Sequence, residues 1–132
     1  ILRVAEATGV HGVIIPKRRA VGLTSIVAKT SAGAIEHVPV VRVTNINQTM
    51  DELKERGVWL VGADGGADQY YYEVDFKLPL ALVMGGEGEG LSHLVKKNCD
   101  FKVKLPMVGH ISSLNVSTAA AVILYEVLRN RN

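Results

Sequence analysis

Three stretches concentrate residues able to do chemistry. The first follows Leu82-Val83-Met84 and reads Gly85-Gly86-Glu87-Gly88-Glu89-Gly90 before Leu91. Its glycines miss the G-x-G-x-x-G positions of a dinucleotide loop, and two carboxylates stand where a pyrophosphate would sit. Dense glycine still implies special backbone conformations or close approach to a ligand, here a neutral or cationic one. A tight strand-to-helix turn would also want glycine. The second stretch runs Leu105-Pro106-Met107-Val108-Gly109-His110 into Ile111-Ser112-Ser113-Leu114-Asn115-Val116-Ser117. Ser112 and Ser113 suit a helix start as caps, whereas Asn115, between Leu114 and Val116, is a residue that packing alone would not choose. The third is Lys17-Arg18-Arg19, with Lys96, Lys97, Lys102 and Lys104 also basic. Such charge suits a nucleic-acid backbone, whose binding rests largely on phosphate neutralisation; a solvated charged turn is the plain alternative.

Other chemistries drop out. His11, His37, His93 and His110 lack metal-ligand spacing, and no G-x-S-x-G elbow or P-loop occurs. The single Cys99 can neither close an internal disulfide nor begin a zinc site, and reads as a small apolar filler. Three of the four tyrosines, Tyr70, Tyr71 and Tyr72, fall in the stretch from Asp64 to Lys77, which has no clear periodicity. They could stack on bases, seal a subunit interface, or simply close a loop over the sheet edge.

The elements that must position these residues alternate along the chain. Apolar, β-branched runs predict strands at Gly12 to Ile15, Val38 to Val43, Val58 to Ala63, Leu80 to Met84 and Phe101 to Leu105. Between them, helices are expected over Leu23 to Ala32, over Met50 to Arg56 with Asn47 as cap and Gly57 as stop, and over Leu91 to Lys97. Val116, Ala120, Ile123, Leu124 and Val127 share one face of a C-terminal helix, leaving Glu126, Arg129 and Arg131 for solvent. Nearly continuous apolar strands separated by helices predict an α/β fold with a mostly parallel sheet covered on both faces. In such sheets ligands bind beyond the carboxyl ends of the strands, where the three stretches fall. The length of 132 residues and the 48% apolar content suit one domain. No run reaches the roughly 18 to 20 apolar residues of a membrane span and no signal peptide opens the chain, so a soluble, cytoplasmic protein is expected.

Leu82 to Ser92 resembles motif 2 of the SpoU (TrmH) class of SPOUT RNA methyltransferases. Leu105 to Met107 and Ser113 to Ser117, with the Ala-rich helix that follows, resemble motif 3. Ile1-Leu2-Arg3-Val4-Ala5-Glu6-Ala7 looks like the second half of motif 1. Thr30 to Pro39 and His11 to Pro16 further resemble the RlmB-type branch, which methylates a guanosine ribose 2′-oxygen in 23S ribosomal RNA. The resemblance implies a C-terminal deep trefoil knot, S-adenosylmethionine as cofactor, no metal, and a homodimer with the site near the subunit interface. By matched position the cofactor would contact Gly86, Glu87, Gly88, Leu105, Met107, Ser113, Leu114 and Asn115, while Arg3, Glu87, Ser113 and Asn115 would carry catalysis and Lys17, Arg18 and Arg19 RNA binding. The family's motif 1 Asn and leading strand would lie upstream of Ile1, so residues 1–132 are expected to be a catalytic domain without its first strand and without the upstream RNA-binding domain of this branch.

The implied reaction is displacement of a methyl group from sulfur by a ribose hydroxyl. An alcohol is a weak nucleophile that gains from a base or from charge stabilisation. A guanidinium pKa above about 12 makes Arg3 a demanding base, so stabilising the alkoxide or positioning the RNA phosphate stays equally open for it. The competing readings are a non-catalytic RNA-binding relative, a tRNA 2′-O-methyltransferase of the same class, and, weakly, a nicotinamide-dependent oxidoreductase.

Overall fold

The computed structural model describes residues 2–17, 38–85, 90–110 and 115–131. The expected helix at Leu23 to Ala32 and the site residues Arg18, Arg19, Gly86, Glu87, Gly88, Ser113 and Leu114 lie outside these. The elements run α1 (Leu2–Ala7), β1 (Val13–Pro16), β2 (Val40–Val43), α2 (Ile46–Glu55), β3 (Trp59–Ala63), β4 (Gln69–Tyr70), a 3-10 turn (Tyr71–Glu73), β5 (Leu80–Val83), α3 (His93–Asn98), β6 (Phe101–Lys104) and α4 (Val116–Arg131). Each of the five anticipated strands is present within a residue or two of its expected bounds. Among the described residues every strand pair is parallel, β1 beside β2, and β4-β6-β3-β5 in a second sheet.

Burial along β3 explains why it is apolar throughout. Leu60 and Val61 point to opposite faces and are both buried. On one face Val61 joins Val103 of β6, Ile123 of α4 and the buried Val74 and Phe76 in the main core. On the other, Gly62 admits α3: a Cβ there would lie 2.8 Å from Cys99 Sγ and 2.9 Å from Leu91 Cδ1. Both faces of the central strand are therefore covered, as continuous hydrophobicity requires.

Three local expectations are corrected. Helix α2 begins four residues earlier than expected and is capped by Asn45, whose side chain accepts the Gln48 N–H at 3.1 Å. Asn47 is helical and caps nothing. Asn45 with Gln48 has the cap-to-third-residue spacing of a capping box, a signal available in the sequence. The stop at Gly57 holds: its φ of +84° lets its N–H reach Lys54 O and the Val58 N–H reach Leu53 O, both at 3.0 Å, a Schellman closure. Second, the segment without periodicity contains strand β4, too short at two residues to leave a pattern. Third, the polar residues of α4 are not simply solvated. The Arg129 guanidinium donates two hydrogen bonds to Glu126, at 2.8 and 2.9 Å, and holds its carboxyl below the usual range. That contribution to stability is present above the ordinary glutamate range and is lost on acidification through the lowered value. Arg131 donates to the carbonyls of Phe76 and Leu78, tying the helix end to the chain entering β5.

At the amino ends of the strands Asp100 joins β6 to β3. Its Oδ2 accepts the Leu60 N–H at 2.7 Å, and its own N–H donates to Leu60 O at 2.8 Å. Removing this carboxylate leaves a buried strand donor without its partner. Asp100→Ala is expected to lower unfolding free energy by about 1–3 kcal/mol in urea titrations, whereas Asp51→Ala, which loses only an exposed contact to Asn98, should stay within about 0.5 kcal/mol.

Candidate functional site

Because β5, β3 and β6 are parallel neighbours, their carboxyl ends share one edge, and the segments leaving them emerge side by side. After β3, Asp64 organises the turn. Its N–H donates to Val103 O at 2.9 Å, its Oδ1 accepts the Gly66 N–H at 3.1 Å, and its carboxylate lies 3.7 Å from Lys96 Nζ on α3. Sequence reasoning named Lys96 only for its charge and did not single out Asp64, although Asp-Gly-Gly is a legible turn signal.

After β5 the glycine stretch is closed at its neck. A Cβ on Gly85 would overlap the Gly90 carbonyl group and lie 2.7 Å from Gly90 Cα, and Gly90 itself has φ +69°. The two ends of the loop touch main chain to main chain, which only glycine at position 85 permits. Leu91, at 7% exposure, is then locked against the bare face of Gly62, and Ser92 caps α3 by accepting the Val95 N–H at 3.3 Å. The loop is thus a clasped excursion between a strand end and a buried leucine. Cys99 shares that contact with Gly62, and burial pushes its thiol pKa up, as suits an inert packing residue.

After β6, Leu105 is half-buried and Met107 is 39% exposed, in the segment that leaves the carboxyl end of that strand. Asn115 turns out to be the N-cap of α4: its Oδ1 accepts the Thr118 N–H at 2.8 Å, and its carbonyl accepts the Ala119 N–H at 3.0 Å. This supplies a structural reason for the residue that packing could not explain. Its amide nitrogen is not used by the cap. Arg3 is exposed on α1, which packs against α4, the helix that Asn115 opens, and it forms no ion pair among the described residues. Lys17 is exposed just after β1. Among the described residues no three His, Cys, Asp or Glu side chains group as metal ligands would, and no helix is long and apolar enough to cross a membrane.

The SpoU rRNA Methylase family model matches residues 1–125. The chain belongs to the SpoU rRNA methylase family. A Bacillus subtilis protein named for the TrmH family of tRNA/rRNA methyltransferases, YacO, is 58% identical over the whole chain, which covers 53% of that relative. Among solved structures, the SpoU methyltransferase AviRb from Streptomyces viridochromogenes in complex with AdoMet aligns at TM-score 0.91 and 37% identity, over 99% of this chain and 54% of AviRb. An RNA 2′-O ribose methyltransferase aligns at TM-score 0.88 and 32% identity, over 99% of this chain and 50% of that one. This SpoU chain therefore spans about half the length of the relatives it matches.

The clasp makes a direct prediction. Gly85→Ala should force the loop neck apart and cost about 1–3 kcal/mol in thermal unfolding, while Gly65→Ala, with open space at its Cβ position, should be nearly neutral. Equal stability of the two variants would remove the clasp.

Proposed function

We propose that these residues form the catalytic domain of an S-adenosylmethionine-dependent RNA ribose 2′-O-methyltransferase, acting as a homodimer on a guanosine of 23S ribosomal RNA. The observation that carries the reading is the clasped neck of the glycine loop, on the same sheet edge as the start of the Leu105 to Met107 segment, in a chain of the SpoU family. The neck at Gly85 and Gly90 has room for main chain only, which suits a ligand held by backbone groups. The carboxylates of Glu87 and Glu89 disfavour a polyphosphate and favour a cationic sulfonium. When bound, S-adenosylmethionine supplies an electrophilic methyl group, and no step of the transfer calls for a metal. Gly86, Glu87, Gly88, Leu105, Met107, Ser113, Leu114 and Asn115 would hold it.

This chain's own residues would act on the ribose. Arg3, exposed and without a carboxylate partner among the described residues, is available to a phosphate or to a developing alkoxide. Asn115, with its oxygen engaged by the helix start, retains an N–H pair to donate. Ser113 and Glu87 complete the polar set. Most of the acceleration would come from holding oxygen, methyl and sulfur in line. Lys17, Arg18 and Arg19 would bind the RNA backbone. Both the RNA 2′-O ribose methyltransferase likeness and the RlmB-like segments support ribose as the acceptor over a base.

Calorimetry with S-adenosylmethionine tests the cofactor. Binding in the micromolar to low-millimolar range is expected, and none would reject the enzyme reading. Arg3→Ala should reduce methyl transfer to RNA by about 100-fold or more at unchanged stability. Asn115→Asp keeps the capping oxygen and removes the amide donor, so reduced transfer in a variant of normal stability assigns the amide a role beyond the cap. Wild-type rates in both folded variants would overturn these assignments. Ribose-methylation mapping by mass spectrometry, in cells with and without the protein, identifies the RNA and the nucleotide.

A further inference from the structure

The tyrosine cluster has no part in the site described so far. Tyr70 and Tyr72 are stacked, with ring centroids 5.3 Å apart and planes 4° from parallel, and Tyr71 meets Tyr72 edge-on at 5.2 Å. Lys104 Nζ lies 4.8 Å from the centroid of the Tyr70 ring. Tyr71 is partly buried against the main core, so the group is anchored, whereas Tyr72 is 53% exposed. A rigid aromatic ring, held in place from beneath and open for half its surface, is costly to leave in water.

Its location follows from the strand register. Tyr70 pairs with Lys104 at the carboxyl ends of β4 and β6, so the rings stand on the ligand-binding edge of the sheet, where Leu105 to Met107 begins. Charged groups border the stack: Lys104, and Glu73, whose Oε1 accepts the Tyr70 N–H at 2.7 Å. The centre of a protein interface is depleted of such charges. Glu73 would likewise repel a phosphate laid over the rings, but it does not hinder a neutral base. Every nucleobase has a π-face, and stacking on tyrosine beside a cation is a general mode of holding unpaired RNA.

Resting on the RNA methyltransferase reading above, we propose that the Tyr70 and Tyr72 stack, with Lys104, is a platform for an unpaired base of the RNA substrate next to the target nucleotide. Tyr72 presents the stacking surface. Tyr70 supports it from behind, and Lys104 polarises the pair while adding positive charge near the backbone. Selection of single-stranded over duplex RNA follows, because a paired base cannot offer its face.

The test uses the full chain and a short fluorescein-labelled single-stranded RNA, with the matching duplex in parallel, read by anisotropy across a salt series. Tyr72→Ala should weaken single-strand binding by roughly 5- to 150-fold, the range for losing one stacked base. The salt slope should stay unchanged, since no phosphate contact is lost, and S-adenosylmethionine binding by calorimetry should also be unaffected. Tyr72→Phe should restore affinity to within about twofold, whereas Tyr72→Leu, which keeps bulk without a π-face, should not. Wild-type affinity in Tyr72→Ala overturns the platform and leaves the methyltransferase reading intact. Dissociation of a dimer by Tyr72→Ala in sedimentation, with RNA affinity recovered at high protein concentration, overturns it in favour of a second copy of the chain. Cofactor binding by a wild-type chain that binds no RNA overturns the RNA reading and the platform together.

Discussion

The close approach of α3 to β3 at Gly62 is the constraint on which the candidate site depends. A side chain at that point would collide with Leu91 and Cys99, and either the helix would lift or the strand would bow. Without the side chain, Leu91 is buried directly on the sheet, and the exit of the glycine loop is fixed within contact distance of the strand whose neighbour supplies its entrance. The loop neck then follows: Gly85 leaves β5 one strand away, and the only backbone that fits against Gly90 is another glycine. Packing density and loop geometry are thus one problem solved by small residues at successive places.

Parallel pairing converts this local fit into a site. In an antiparallel sheet the segments after β3, β5 and β6 would leave from alternating edges, and no common edge would exist. Here all leave together, and the tie from Asp64 to Lys96 spans from the β3 turn to the helix that follows the glycine loop. The opposite edge is held by neutralised contacts of a different kind, Asp100 bridging strands and Lys54 reaching Asn98 and Asp100. Among the described residues, polar ties thus bind the sheet at both of its edges.

The strands were legible because their burial on both faces writes uninterrupted apolar runs, as in Trp59-Leu60-Val61 and Leu80-Ala81-Leu82-Val83. The glycine loop was legible because its composition is extreme. What escaped was set by partners distant in sequence. Two-residue β4 exists because β6 offers it an edge, and nothing in Gln69-Tyr70 alone says so. Arg131 looks solvent-facing by helical phase, yet it is spent on the carbonyls of Phe76 and Leu78. Asn115 shows the limit from the other side: its type suggested chemistry, and geometry adds a capping duty that would suffice to select it. The cap uses the oxygen and leaves the amide hydrogens for the proposed role. Motif resemblance, not periodicity, pointed to the methyltransferase family, since spacing alone cannot identify a sulfonium cofactor.

Charge sets the terms on which such a chain can hold RNA. With 15 basic and 13 acidic residues the net charge is only +2, so long-range attraction is weak and each phosphate contact must come from a local cluster rather than from the field of the whole protein. Counterion release scales with the number of phosphates neutralised, and one triplet at Lys17 to Arg19 supplies few. An affinity built that way would collapse at moderate salt unless a term insensitive to salt stood beside it. Stacking is such a term, because it derives from buried π-surface and not from ions released. A near-neutral RNA-binding domain would therefore gain more from one rigid exposed aromatic than a strongly basic one, and the proposed platform on the anchored tyrosine pair at the carboxyl edge would meet that need.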